Sequence, residues 1–120
     1  MRYLNLLLAL LMLVFIAVQY NDPDGVIWML IYLFPAIWAL FAAFKPNILR
    51  STAPSLLLAL SIVVSIGLMV YYWPTSPGWW KQEIWWEVET AREGMGMMIV
   101  TIVLLVAWLT ARLVKTQDSP

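Results

Sequence analysis

Residues 51–80 read STAPSLLLALSIVVSIGLMVYYWPTSPGWW, thirty consecutive positions without an Asp, Glu, Lys or Arg. An α-helix rises about 1.5 Å per residue, so about 20 residues cross the roughly 30 Å hydrocarbon core of a bilayer. The run therefore reads as a crossing over 53–72 that leaves the membrane through an aromatic segment. Working outward from it, the fourteen charges of the 120-residue chain leave three more long intervals, 3–21, 25–44 and 94–111. A soluble fold of this size could not hide four such segments from water. Composition agrees: 63% of residues are hydrophobic and 12% charged, against about 45–50% and about 25% in soluble domains. The expected architecture is an all-α membrane protein with one transmembrane domain over 1–120. Four transmembrane helices, 3–20, 26–44, 53–72 and 94–113, form an antiparallel bundle, and an amphipathic, Trp-rich interfacial helix over 77–93 precedes the last.

Boundary signals support these limits. Arg2 ahead of an apolar run resembles a secretory signal, but Ala17-Val18-Gln19 lacks the small residue a cleavage site needs, so the segment reads as an uncleaved helix. Asn21-Asp22-Pro23-Asp24-Gly25 collects residues that favour reversals through side-chain bonding to backbone, fixed φ and permitted positive φ. Pro35 interrupts the hydrogen-bond ladder in mid-helix. Ser51 or Thr52 suits an N-cap ahead of Pro54, and Ser76-Pro77 repeats the pattern. Between Trp73 and Glu93, Trp80, Ile84, Val88 and Ala91 recur at helical spacing among six charges, as a helix lying at the headgroups would show. Gly94 and Gly96 mark the start of the last crossing.

Net charge is zero, yet the charges are unevenly placed. With both termini cytoplasmic, Arg2, Lys45, Arg50, Arg112 and Lys115 lie inside and Lys81 and Arg92 outside, as the positive-inside rule favours. Asp22, Asp24, Glu83, Glu87, Glu89 and Glu93 then make the outer face acidic. The expected location is a bacterial inner (plasma) membrane. The chain has no Cys and no His, which removes thiolate and imidazole catalysis and the usual zinc, copper and haem ligand sets. No ionisable group falls within the four intervals, whereas pumps and proton-coupled carriers typically place one there. The few polar side chains within the crossings include Asn5, Gln19, Ser61, Ser65 and Thr101. Ser61 with Ser65, and Ala39 with Ala43, have the spacing that permits close helix contact.

The string Gln19-Tyr20-Asn21-Asp22-Pro23-Asp24, followed by Trp28, Tyr32, Pro35-Ala36 and Lys45-Pro46-Asn47, resembles the transmembrane protein 220 family of small four-helix membrane proteins. Glu89-Thr90-Ala91-Arg92-Glu93-Gly94 resembles that family's segment ahead of the last helix. The resemblance implies a polytopic membrane protein and carries no catalytic residue.

Two groups of residues carry whatever chemistry there is. Asn21, Asp22, Asp24, Glu89, Arg92 and Glu93 stand at the outer ends of the crossings. They read as turn and cap residues tied by an Arg92 pair with Asp22 or Asp24, or as oxygen donors to a cation or amine-bearing ligand. Trp79, Trp80, Trp85 and Trp86 read as an aromatic belt or as a surface for a lipid or protein partner. The expected function is a noncatalytic membrane scaffold or accessory subunit docking through its outer acidic, Trp-rich face. The alternative is a membrane binding or transport protein for a cation or amine-bearing ligand. No cofactor, catalytic residue or resident metal is expected. Expected partners are membrane lipid and either a larger membrane protein or further copies of the chain, with no nucleic acid.

Overall fold

The computed structural model describes residues 2–19, 24–75 and 77–118, with side chains except at 85–87 and 114–118. Among the described residues six helices follow in order: α1 (Arg2–Ala17), α2 (Gly25–Phe44), α3 (Pro46–Leu49), α4 (Thr52–Tyr71), α5 (Gln82–Glu87) and α6 (Glu89–Asp118). Helix makes up 85% of the structure, and no strand occurs among the described residues, which places the chain in the all-helical class. Its principal extents are 52 × 24 × 23 Å, so the long axis exceeds the roughly 30 Å core of a bilayer.

Three helices are long and apolar enough to cross a membrane: Gly25–Phe44, Thr52–Tyr71 and the Glu89–Leu113 part of α6. The first segment is shorter than its apolar run. A helix expected over 3–20 ends at Ala17, where Gln19 N–H bonds back to the Ile16 carbonyl at 3.2 Å and tightens the last turn. Sixteen residues of helix span about 24 Å. The helix expected over 77–93 is divided. Gly78 at φ +69 turns the chain, the helix begins only at Gln82, and Val88 is extended, with φ −98 and ψ 108. Glu89 to Glu93 then belong to α6 and run on without a break into its apolar part. Ser51 caps α4 in an extended conformation, as the sequence suggests, and α2 continues through a buried Pro35.

Small side chains set how closely the helices approach. Ala36, Ala39 and Ala42 are buried along α2, against Ala9 and Met12 of α1 in one core that also holds Val103, Leu104 and Ala107 of α6. Close contact through small residues favours association in lipid, where burial of apolar surface drives little. Over its apolar window α6 is 56% buried and α4 only 11%, so α6 is the central element and α4 the outermost. Outward-facing Leu56, Leu57, Leu60, Val63 and Val70 of α4 are exposed, which suits lipid and not water.

Buried polar groups meet across the helices. Asn5 Nδ2 donates to Thr110 Oγ1 at 2.7 Å, joining the beginning of α1 to the later part of α6. Thr101 Oγ1 lies 3.0 Å from the Met97 carbonyl and 3.2 Å from Ser65 Oγ, so its one proton is shared between them. Each pairing satisfies hydroxyls that would be costly bare in hydrocarbon. Ser65 thus faces α6, while Ser61 bonds the Leu57 carbonyl of its own helix. An apolar groove of 340 Å³ opens between α2 and α4 over the floor of α6, lined among others by Phe34, Pro35, Val64 and Met97.

Candidate functional site

At one end of the bundle the chain gathers its basic groups. Arg2 Nε donates to the Ala43 carbonyl at 3.3 Å, Arg50 bonds Asn47 at 2.9 Å, and Arg112 donates to Ser55 Oγ at 2.8 Å while lying 4.2 Å over the Trp108 ring. At the other end it gathers carboxylates and aromatic rings, and that end is the candidate site.

Its geometry begins with two glycines. A Cβ on Gly94 would collide with the Tyr72 carbonyl and the Pro74 ring, and one on Gly96 with the Tyr32 hydroxyl. Their absence lets the first turns of α6 press against α2 and against the chain leaving α4. That approach brings Glu89 and Glu93, one helical turn apart on one face, onto Asp24 at the start of α2. One oxygen from each of the three carboxylates lies within 4.8 Å of the others. Asp24 is the N-cap of α2 yet makes no side-chain capping bond. Glu93 stands beside Asp24 and near the Trp28 indole, one turn further along α2. Three carboxylates this close repel one another, which a bound cation or a shared proton relieves.

The donor set suits a hard cation, since oxygens on opposite sides of a Ca²⁺ ion stand roughly 4.6–5.2 Å apart at Ca–O distances of about 2.3–2.6 Å. Behind the trio an aromatic wedge fixes the helices: Trp28 meets Tyr72 edge-on at 5.2 Å and Tyr32 at 5.8 Å, and Tyr32 meets Phe15 at 5.2 Å. Trp28 and Tyr32 are buried, so this wedge ties α1, α2 and α4 directly beneath the carboxylates.

Of the residues singled out in the sequence, the structure brings Asp24, Glu89 and Glu93 together. Arg92 lines a separate cleft of 280 Å³ with Phe15, Gln19, Tyr32 and Ile99. Asn21 and Asp22 lie outside the described residues, and the Arg92 pairing with Asp22 lies there with them. Trp79 and Trp80 stack edge-to-face at 5.6 Å, and Trp79 meets Trp73 at 5.9 Å. The side chains of Trp85 and Trp86 lie outside the described part. Sequence reasoning missed Trp28 as a partner of Glu93 and Thr110 as the partner of Asn5. Spacing within one helix carries no signal for either, because both are contacts between helices far apart in the chain.

Comparison with known proteins agrees with the architecture. The family model described as "Transmembrane family 220, helix" matches residues 11–109. A protein named Transmembrane protein 220, from Xenopus laevis, is 43% identical over 51 residues, which are 42% of this chain and 28% of that protein. The matched stretch thus spans well under two thirds of the relative. Nothing in the match supports a bacterial membrane as the location. No solved structure matches. With most of its length matched by the family model, this multi-pass integral membrane chain belongs to transmembrane family 220.

Proposed function

We propose that the protein is a noncatalytic accessory subunit or scaffold in its membrane. In this reading four helices cross in antiparallel order, both termini face the cytoplasm, and a larger membrane partner docks at the outer acidic, Trp-rich end. The observation that carries the reading is the segregation of groups along the long axis. The membrane section holds only hydroxyl and amide pairings, while the carboxylate trio and the exposed Trp73 and Trp80 stand together at one end. A fourth crossing is supported by α1 reaching Ala43 and Thr110 at its beginning and Tyr32 near its end. A bilayer accommodates a crossing a few ångströms short of its thickness at modest cost. A photoreactive residue at position 83, on the exposed face of α5, tests the docking. One discrete protein adduct, the same in repeated membrane preparations and absent when position 56 on α4 carries the probe, supports it; labelling at 83 indistinguishable from 56 contradicts it.

The convergence of Asp24, Glu89 and Glu93 favours a second reading, a binding protein for a cation or amine-bearing ligand. Millimolar Ca²⁺ or Mg²⁺ should raise the thermal midpoint of the wild-type chain, as any ligand selective for the folded state does. The rise should vanish in Asp24→Asn/Glu93→Gln. An unchanged midpoint in wild type removes this reading.

A further inference from the structure

The chain leaves α4 at Tyr71, passes through Trp73 and is turned by Gly78 at φ +69; Trp79 then packs against Trp73, and Trp80 against Trp79. The Trp73 and Trp79 planes meet at 73° with centroids 5.9 Å apart, and those of Trp79 and Trp80 at 86° and 5.6 Å. Two rings near a right angle at that separation make a corner. A cation seated in it lies within about 6 Å of both centroids, the range over which an aromatic face attracts positive charge. Trp79 takes part in two such corners. The outer rings are open, Trp73 being 50% and Trp80 60% exposed. Among the described residues the side-chain cation found over a ring is Arg112, over Trp108 at the opposite end.

We propose that the corners formed by Trp73, Trp79 and Trp80 bind a quaternary ammonium group, that of a choline-type lipid headgroup in the surrounding bilayer. A primary ammonium entering an indole corner gives up hydrogen bonds to water, and ring faces do not replace them. A trimethylammonium has no N–H to satisfy and presents methyl groups to the rings. The site follows directly on the end of a membrane-embedded helix, which is the depth at which headgroups lie. Lys81 follows the indoles directly in the chain, and its stem lies over the turn, with Cδ 3.5 Å from where a Gly78 Cβ would stand. The carboxylates of Asp24, Glu89 and Glu93 belong to the same end of the molecule and raise the local concentration of cations. The inference is independent of whether a protein docks on α5.

The test uses the full chain in nanodiscs holding equal amounts of phosphatidylcholine and phosphatidylethanolamine with identical acyl chains. Native mass spectrometry then counts the lipids retained. The proposal expects phosphatidylcholine to be enriched several-fold, and Trp73→Leu, which removes one corner, to weaken that preference roughly five- to tenfold. Trp73→Tyr should keep most of it, and Trp108→Leu should leave it unchanged. Tetramethylammonium chloride should quench tryptophan emission saturably and displace the retained lipid, where equal sodium chloride does neither. Equal retention of the two lipids overturns the proposal, since a simple aromatic belt does not distinguish them. Quenching by tetramethylammonium without lipid preference overturns the assignment to lipid. Measuring the variants' thermal midpoints separates a lost site from a lost fold.

Discussion

Gly94 and Gly67 are both helical glycines, and their surroundings differ completely. A methyl at 94 meets a backbone carbonyl and a proline ring, neither of which can swing away; a methyl at 67 meets nothing within 4 Å. Gly94→Ala should therefore cost about 1–3 kcal/mol, the range for overpacking a close contact. Gly67→Ala should be neutral or slightly stabilising through helix propensity. Thermal unfolding in detergent compares them, and equal effects would contradict the tight packing at the start of α6. The Asn5–Thr110 bond makes a second test at this scale. Asn5→Ala and Thr110→Val should be non-additive, with a coupling of about 0.6 kcal/mol, since hydrogen bonds between helices in membranes are individually modest. Simple additivity would mean that the pair is not formed.

Among the elements, α5 is one of the two shortest. Six residues cannot sustain a helix on their own, and α5 ends at an extended Val88. Its amides should exchange with deuterium faster than those of 94–111, which lie inside the bundle. Protection equal to that of α6 would show that 82–93 behaves as one continuous helix. Here the limits of sequence reading have a physical cause. Trp80, Ile84, Val88 and Ala91 do recur at helical spacing, but that pattern says only that these residues would share a face if the helix formed. What divides it is tertiary: Gly78 turns the chain, Trp79 packs on Trp73 and Trp80 on Trp79, and Ala91 is buried as part of α6. The crossings were legible because charge-free length is a local property, so 26–44 and 53–72 came out within a residue or so of α2 and α4. Of the acidic cluster, the membership of Asp24, Glu89 and Glu93 could be read from their common end of the bundle. The placement of Trp28 beside Glu93 and the role of Gly96 beneath Tyr32 could not, because each depends on how two helices are set against one another.

At the scale of the whole molecule, neutrality hides an axis. Arg2, Arg50 and Arg112 make their contacts at one end, and the carboxylate trio with Trp73, Trp79 and Trp80 stands at the other. If four helices cross, as proposed, both termini lie on the same side of the membrane and the 73–88 segment on the opposite side. The chain contains no cysteine, so a single introduced thiol is labelled uniquely. The most direct measurement applies a membrane-impermeant maleimide to intact cells expressing Tyr3→Cys, Thr75→Cys or Gln117→Cys. The account expects Thr75→Cys to be labelled at once, and Tyr3→Cys and Gln117→Cys only after permeabilisation. Labelling of Tyr3→Cys in intact cells, with Gln117→Cys protected, would reduce the crossings to three and contradict it.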